Sequence, residues 1–541
     1  MRKSVVPAWA GALAGLVAGA VALGVAQLVA AVVRPEAFPV VAVGDAVVDL
    51  SPAPVKDWAI ATFGENDKTV LVAGVLVLLA AAAAGLGVLA TRRIGYGQAG
   101  LAAFAVIGVW AVLTRPDAGP ADVLPTVAGL GVGIWVLGFL VRRAYGTAPA
   151  VAQKPARSGT TGSGPVPDGP DGDGPSEWPT VHGSDSVFDR RRLLVGAAGG
   201  VVVAGASTFL GRAWSGSEAI DAARGGVTLP KAATPAAPLP QGVDFRLNGL
   251  TPFVTKNRDF YRVDTALILP RIDPKEWRLR IHGMVDRPIE LTYADLLKRP
   301  LTEADVTLTC VSNEVGGDLA GNARWLGVPL AAVLREAGVQ RDADMLLSTS
   351  DDGWTCGTPV DVVMDGRNAL LAVGMNGEPL PLTHGFPVRQ VVPGLYGYVS
   401  ATKWVVDIKV TRFDRDEAYW TPRGWSAKGP IKTQSRIDLP RDRAKVAAGR
   451  TTIAGVAWAQ HTGVDAVEVR VDGGAWQQAR LAQAPTADTW RQWALDWQAT
   501  PGEHTIQVRA TDAAGRTQTE QKAPVAPDGA SGWHTVSVRV G

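Results

Sequence analysis

The first 211 residues are dominated by long runs of Ala, Val, Leu and Gly that contain no charge. A bilayer needs roughly 20 apolar residues to be crossed by a helix, a length that water-soluble cores rarely use. Four stretches meet this requirement: 7–33, 69–90, 95–114 and 122–141, the second and third joined as a hairpin by a turn at 91–94. Arg2 and Lys3 precede the first stretch, Arg92 and Arg93 lie between the second and third, and Arg142 and Arg143 follow the fourth. The alternate loops, 34–68 and 115–121, carry at least as many acids as bases, so the positive-inside rule places the N-terminus in the cytoplasm. All six histidines lie outside these spans, so no haem is expected in them. No Asp, Glu, Lys or Arg sits deep within one, which argues against an ion or proton path. Residues 1–144 therefore read as a four-span anchor or docking surface in the plasma membrane.

Residues 145–187 are rich in Gly, Pro and Ser and predict a disordered cytoplasmic linker. Residues 188–212 follow, opening with Phe188, Asp189, Arg190, Arg191, Arg192, Leu193 and Leu194 and continuing as a Gly/Ala-rich apolar run. Two adjacent arginines, one further residue and two large apolar residues match a twin-arginine signal. The competing reading is an ordinary fifth span preceded by stop-transfer charges. Both place everything beyond it outside the cytoplasm, and modest hydrophobicity favours the twin-arginine export machinery.

A linker at 213–246 leads to residues of ordinary globular composition. The net charge of +2 speaks against a nucleic-acid partner. Only Cys310 and Cys356 are present, too few for a disulfide framework or a zinc ribbon. Trp277 to Ile281 alternates as a strand, Leu291 to Leu297 reads as a short helix with Thr292 as its N-cap, and Val306 to Cys310 alternates again. Leu330, Val333 and Leu334 share a helix face that Gly338 ends. Cys310 thus closes a strand just before a loop containing Gly316, Gly317 and Gly321. A cysteine in that place is by itself an ordinary small hydrophobe.

Its neighbours change that reading. Cys310-Val-Ser-Asn313, then Ala323-Arg-Trp-Leu-Gly-Val-Pro-Leu330, resembles the molybdenum-cysteine segment of the sulfite oxidase family. His384-Gly-Phe-Pro-Val-Arg389, with Val392-Pro-Gly394, Gly397 and Lys403-Trp404, is similar to that family's pterin-phosphate segment, and Asn257-Arg-Asp-Phe-Tyr261 to an opening segment. The match runs from about residue 251 onwards, in the family's order. It implies an α+β molybdopterin-binding oxidoreductase domain at 247–428 holding a molybdenum-pyranopterin. The metal ligand and catalytic residue would be Cys310, and the cofactor contacts Asn257, Tyr261, Asn313, Asp352, His384, Arg389, Thr402 and Lys403. A thiolate is a sensible ligand for a metal already held by dithiolene sulfurs, and a buried phosphate needs the charge that Arg389 and Lys403 carry. For Arg389 the bland alternative is a surface salt bridge, for His384 a turn histidine; Cys356 reads as structural.

The sequence departs from the family where substrate is held. The arginine that sulfite oxidisers place about five residues after the cysteine is Val315 here, beside Glu314, and a family tyrosine becomes Trp354. A neutral sulfoxide-type substrate is therefore expected over sulfite, with Arg324 as a second-direction cation that keeps sulfite open. The resemblance also implies a one-electron carrier, either a cytochrome or quinone-linked. Residues 429–541 read as short strands, with a hairpin at Val467 to Trp476, and predict an immunoglobulin-like, dimerisation-type sandwich and a homodimer. The whole layout resembles actinobacterial proteins that carry an internal twin-arginine signal. A different class of reading is a cofactor-free extracellular binding module on a membrane stalk.

Overall fold

The computed structural model describes residues 6–52, 67–115, 118–147, 186–214 and 217–541, with positions 55, 62 and 63. They form two compact units, one of residues 1–51 and 58–215, the other of residues 52–57 and 216–541.

The first unit is helical: α1 (Ala8–Val33), α2 (Pro39–Leu50), α3 (Asp67–Arg92), α4 (Ile94–Leu113), α5 (Leu124–Ala144) and α6 (Arg190–Trp214). Five helical stretches, Ala8–Val33, Lys68–Arg92, Ile94–Leu113, Pro120–Ala144 and Arg190–Leu210, are long and apolar enough to cross a membrane. Helix α1 is central and packs on α3, α5 and α6. Small residues make that possible: a Cβ on Gly15 would fall 1.9 Å from the Ala83 carbonyl oxygen, and one on Gly129 2.4 Å from that of Ala22. Helix α2, with Pro39 in its first turn, lies in a stretch read from sequence only as a loop. Most of the linker at 145–187 lies outside the described residues; Tyr145–Thr147 at its start pairs antiparallel with Ser186–Phe188, which runs one residue past its end.

The second unit opens with α7 (Ser217–Gly225), whose Arg224 donates to the carbonyls of Leu380 and Pro379, both at 2.7 Å. Two five-stranded sheets follow. One runs β2 (Ile289–Thr292), β1 (Arg278–Gly283), β10 (Val405–Thr411), β5 (Met345–Ser350), β6 (Thr355–Pro359), with β1 and β10 parallel. The other runs β8 (Glu378–Pro379), β7 (Leu370–Met375), β4 (Ala320–Pro329), β3 (Thr302–Thr309), and β9 (Arg389–Val391) also pairs with β7. Helices α8 (Tyr293–Lys298), α9 (Leu330–Ala337) and α10 (Val360–Met364) pack with them around one apolar core, which includes Leu279, Leu296, Val333, Leu334 and Ile408. Leu291 belongs to β2, so α8 starts two residues later than its hydrophobic pattern predicts. Thr292 caps it, its hydroxyl accepting from the Asp295 amide at 3.1 Å.

From β11 onward the chain builds a sandwich of two sheets. The first is β11 (Gln434–Leu439), β13 (Gly449–Trp458), β17 (Arg491–Ala499) and β16 (Arg480–Leu481). The second is β12 (Lys445–Val446), β19 (His534–Val540), β18 (Gly502–Asp512), β14 (Val464–Val471) and β15 (Gln477–Gln478). Ile453, Trp493, Val469, Val508 and Val536 share the core between them. The expected hairpin is β14 to β15, turning at Asp472 and Gly473, both at positive φ.

Candidate functional site

Strand β3 ends one residue before Cys310, whose side chain is buried and whose amide donates to the Leu319 carbonyl at 3.0 Å. That bond closes a loop, 311–319. Inside it the Ser312 amide donates to Cys310 Sγ at 3.4 Å, and Asn313 Oδ1 accepts from the Leu319 amide at 2.8 Å. Burial pushes the Cys310 thiol above its usual range; the Ser312 amide and the Lys403 charge oppose this without overcoming it. A thiol so placed keeps its proton until a metal displaces it. Asn313 Nδ2 and Trp354 Nε1 are buried donors with no protein partner among the described residues.

The positive charge comes from β9 and from the approach to β10. Arg389 is buried, lies 5.0 Å over the Trp325 ring, and has no carboxylate partner among the described residues. Its protein acceptors among the described residues are the carbonyls of His384, Gln390 and Ala401, at 3.3–3.4 Å. Desolvation lowers its pKa to about 10. Lys403 donates to Asp264 at 2.7 Å and to the Thr383 carbonyl at 3.2 Å, and burial lowers it to about 8. Asp264 also accepts from Arg262 at 2.9 Å. His384 donates from Nε2 to the Asn257 carbonyl at 3.0 Å, an assignment made because a carbonyl can only accept. Burial and the neighbouring Arg389 and Lys403 hold its pKa near 4. The ring is neutral at pH 7, so the local positive charge comes from Arg389, Lys403 and Arg262, the last two sharing Asp264.

The other residues expected from sequence distribute as follows. Tyr261 stacks on Phe260 and feels both Cys310 and Arg389, while burial raises its phenol far out of the accessible range. Asp352 lies close enough to Asp264 and Lys403 for their charges to act on it, and burial raises its carboxyl. Thr402 shares a 2.7 Å hydrogen bond with Ser348. Asn257 is engaged by Asn376 and by the Met375 carbonyl, so its backbone carbonyl, through His384, is its link to the site. Arg324 is not brought there. Its guanidinium donates to both oxygens of Asp305 at 2.9 and 2.8 Å, and Asp305 stands five residues, about 17 Å at 3.4 Å per residue, along the strand from Cys310. Cys356 is fully buried against Thr358 and is raised by that burial. Arg262, Asp264 and Tyr396 were missed. The first two follow the quoted opening segment directly, and Tyr396 is a buried phenol held near 12 by desolvation, with Asp528 and Cys310 adding to the rise.

Among the described residues no cluster of three or more His, Cys, Asp or Glu side chains is placed to hold a metal. A metal at Cys310 must therefore bring most of its own ligands, as a dithiolene-bound molybdenum does. Two donors without protein partners and a buried guanidinium without a carboxylate fit the polar and phosphate ends of a pterin.

Comparison with known proteins agrees. Residues 266–420 match the family described as "Oxidoreductase molybdopterin binding domain". The uncharacterized oxidoreductase YuiH of Bacillus subtilis is 34% identical over 157 residues, covering 29% of this chain and 76% of its own. The chain belongs to the sulfite oxidase family of molybdopterin-dependent oxidoreductases. Mitochondrial sulfite oxidase of Mus musculus is 33% identical over 342 residues, which are 53% of this chain and 62% of that one, so the match spans somewhat under two thirds of the mouse protein. The sulfane dehydrogenase SoxCD structure from Paracoccus pantotrophus aligns at 26% identity with a TM-score of 0.47, over 54% of this chain and 82% of its own.

Proposed function

We propose that this oxidoreductase is a membrane-anchored, extracytoplasmic molybdenum-pterin enzyme that transfers an oxygen atom with a two-electron change, acting on a neutral sulfoxide-type substrate. Cys310 would ligate the metal, Arg389 and Lys403 would hold the pterin phosphate, and Asn313 and Trp354 would donate to the cofactor body. The bound group would supply the redox change and take or release the oxygen atom. A cytochrome or quinone-linked carrier would exchange the electrons, and the C-terminal sandwich, read as immunoglobulin-like, would pair two copies.

The observation that carries the substrate choice is the stretch that follows the cysteine in sequence. Glu314 and Val315 occupy the stretch where a sulfite-holding arginine is expected, and the Arg324 guanidinium is committed to Asp305. An anionic substrate that loses the arginine held against it forfeits about 3 kcal/mol of binding. Purified protein should therefore reduce methionine sulfoxide or dimethyl sulfoxide with reduced viologen at a kcat/KM about a hundredfold or more above sulfite oxidation with ferricyanide. Efficient sulfite oxidation without sulfoxide turnover would sink this choice in favour of the second reading, a sulfite:acceptor oxidoreductase. Identity of 33% with a sulfite oxidase supports that second reading. A protein that stays free of molybdenum in molybdate-replete cells would instead be a binding module on a stalk.

Export is testable separately. Arg190 and Arg191 stand exposed at the start of α6. Changing both to Lys should strand the oxidoreductase domain in the cytoplasm, where protease added to spheroplasts leaves it uncut. Wild-type cleavage of that variant would leave α6 as a span inserted by the general route.

A further inference from the structure

Strand β3 is the last strand of its sheet: β4 pairs along one side, and among the described residues no strand pairs along the other, which meets a single bridge at Thr234. Such an edge leaves a row of backbone groups unpaired. At its start Thr234 supplies partners, the Glu303 amide donating to the Thr234 carbonyl at 2.9 Å. At the end that leads to Cys310 the partners come from the C-terminal sandwich. The Thr307 amide donates to the Asp488 carbonyl at 3.0 Å, and Gln460 Nε2 donates to the Thr307 carbonyl at 3.1 Å and to Thr309 Oγ1 at 2.9 Å. The Trp490 amide donates to Thr307 Oγ1 at 2.7 Å.

Beyond Cys310 the sandwich also holds the loop itself. Arg436, buried on β11, donates from Nη1 to the Gly317 carbonyl at 2.8 Å, from Nη2 to Thr251 Oγ1 at 2.7 Å and from Nε to Asp438 at 2.6 Å. One residue earlier in the loop, Gly316 has φ +84°, and a methyl there would lie 2.2 Å from the His534 ring. His534 is itself fixed, its Nδ1 accepting from the Ile437 amide at 2.9 Å. Two adjacent loop residues are thus gripped by two side chains from different sheets of the sandwich. The same loop carries Asn313, whose Oδ1 closes it on Leu319.

We propose that Arg436 and His534 are positioning residues: by pinning Gly317 and Gly316 they hold the loop that sets the Cys310 sulfur and the Asn313 amide in place. The proposal rests on Cys310 being the metal ligand, but its test needs no metal. Pinning lowers the frequency of local opening, and local opening governs how often a buried thiol meets a reagent.

The test is iodoacetamide labelling of the full chain, prepared without molybdate, with Cys356 as an internal reference and Cys310→Ser to assign the signals. In Arg436→Met/Asp438→Asn, where neither partner of the ion pair is left buried alone, Cys310 labelling should rise about tenfold while Cys356 is unchanged. His534→Ala, which opens space beside Gly316, should act in the same direction with Arg436 intact. Arg436→Lys should recover part of the protection. In the molybdenum-loaded protein the same variants should shift the Mo(V) EPR spectrum. Unaltered Cys310 labelling in both variants overturns the proposal. So does a parallel rise at both cysteines, which would make the two residues ordinary supports of the fold. Failure of Cys310→Ser to affect turnover would strike the ligand assignment and leave the labelling result standing.

Discussion

Cys310→Ser should abolish turnover and leave the fold intact. The thiol is buried at a strand end, and a hydroxyl fills nearly the same volume, so the cost to stability is small beside the 2–5 kcal/mol, roughly, of a large core truncation. A serine oxygen is a harder donor than a thiolate and its hydroxyl is far less acidic, so the variant offers the metal a weaker and electronically different ligand. The measurements are turnover, bound molybdenum by elemental analysis and thermal unfolding. Retained turnover refutes the ligand assignment. Because burial raises the thiol, binding of a metal must release its proton, and uptake of the cofactor should strengthen as pH rises towards the thiol range.

Arg389→Met has the second large effect, and its two consequences have opposite signs. The buried guanidinium has no carboxylate partner among the described residues and only long bonds to carbonyls, so it burdens the cofactor-free fold. Its replacement by an apolar chain of similar length should stabilise cofactor-free protein by about 1–3 kcal/mol. The same change removes the charge proposed to face the pterin phosphate and should weaken retention by about 3 kcal/mol, roughly a hundredfold. Thermal melts of cofactor-free protein and pterin content after gel filtration report the two halves. Loss of stability in the cofactor-free variant would mean that the arginine serves the fold through its backbone contacts.

Much of the architecture was legible in sequence because it follows from local pattern. Charge-free runs located the five long helices, and apolar spacing with Gly338 bounded α9, where Gly338 adopts φ +73°. The short helix α2 escaped notice because apolar residues in an inter-span loop carry no length signal, although Pro39 marks its start. Cys310, Arg389 and Lys403 were proposed together from motif order; the Lys403 charge acts on Cys310 and the Arg389 charge on Lys403. What was illegible is long-range. Alternation along β3 assigned Val306, Leu308 and Cys310 to one inward face, yet Thr307 and Thr309 are buried as well, because Gln460 and Trp490 cover the other. Likewise Arg324 sits in a family-like stretch, and only the register of β4 on β3 reveals that it faces Asp305. Local pattern says nothing about neutral His384 either, since its state depends on burial and on two cations brought in by the fold.

The edge of β3 has a consequence for biogenesis. Its hydrogen-bond partners Gln460, Asp488 and Trp490, and the ring of His534, lie some 150 to 220 residues downstream of the sulfur they surround. While a ribosome is still making that distal part, the cysteine strand has a bare margin and a slack loop. If Cys310 ligates a metallocofactor as proposed, its loading would then wait for the polypeptide to be finished and folded, and an export route that accepts completed cargo would suit such a protein better than one that threads the chain as it is made.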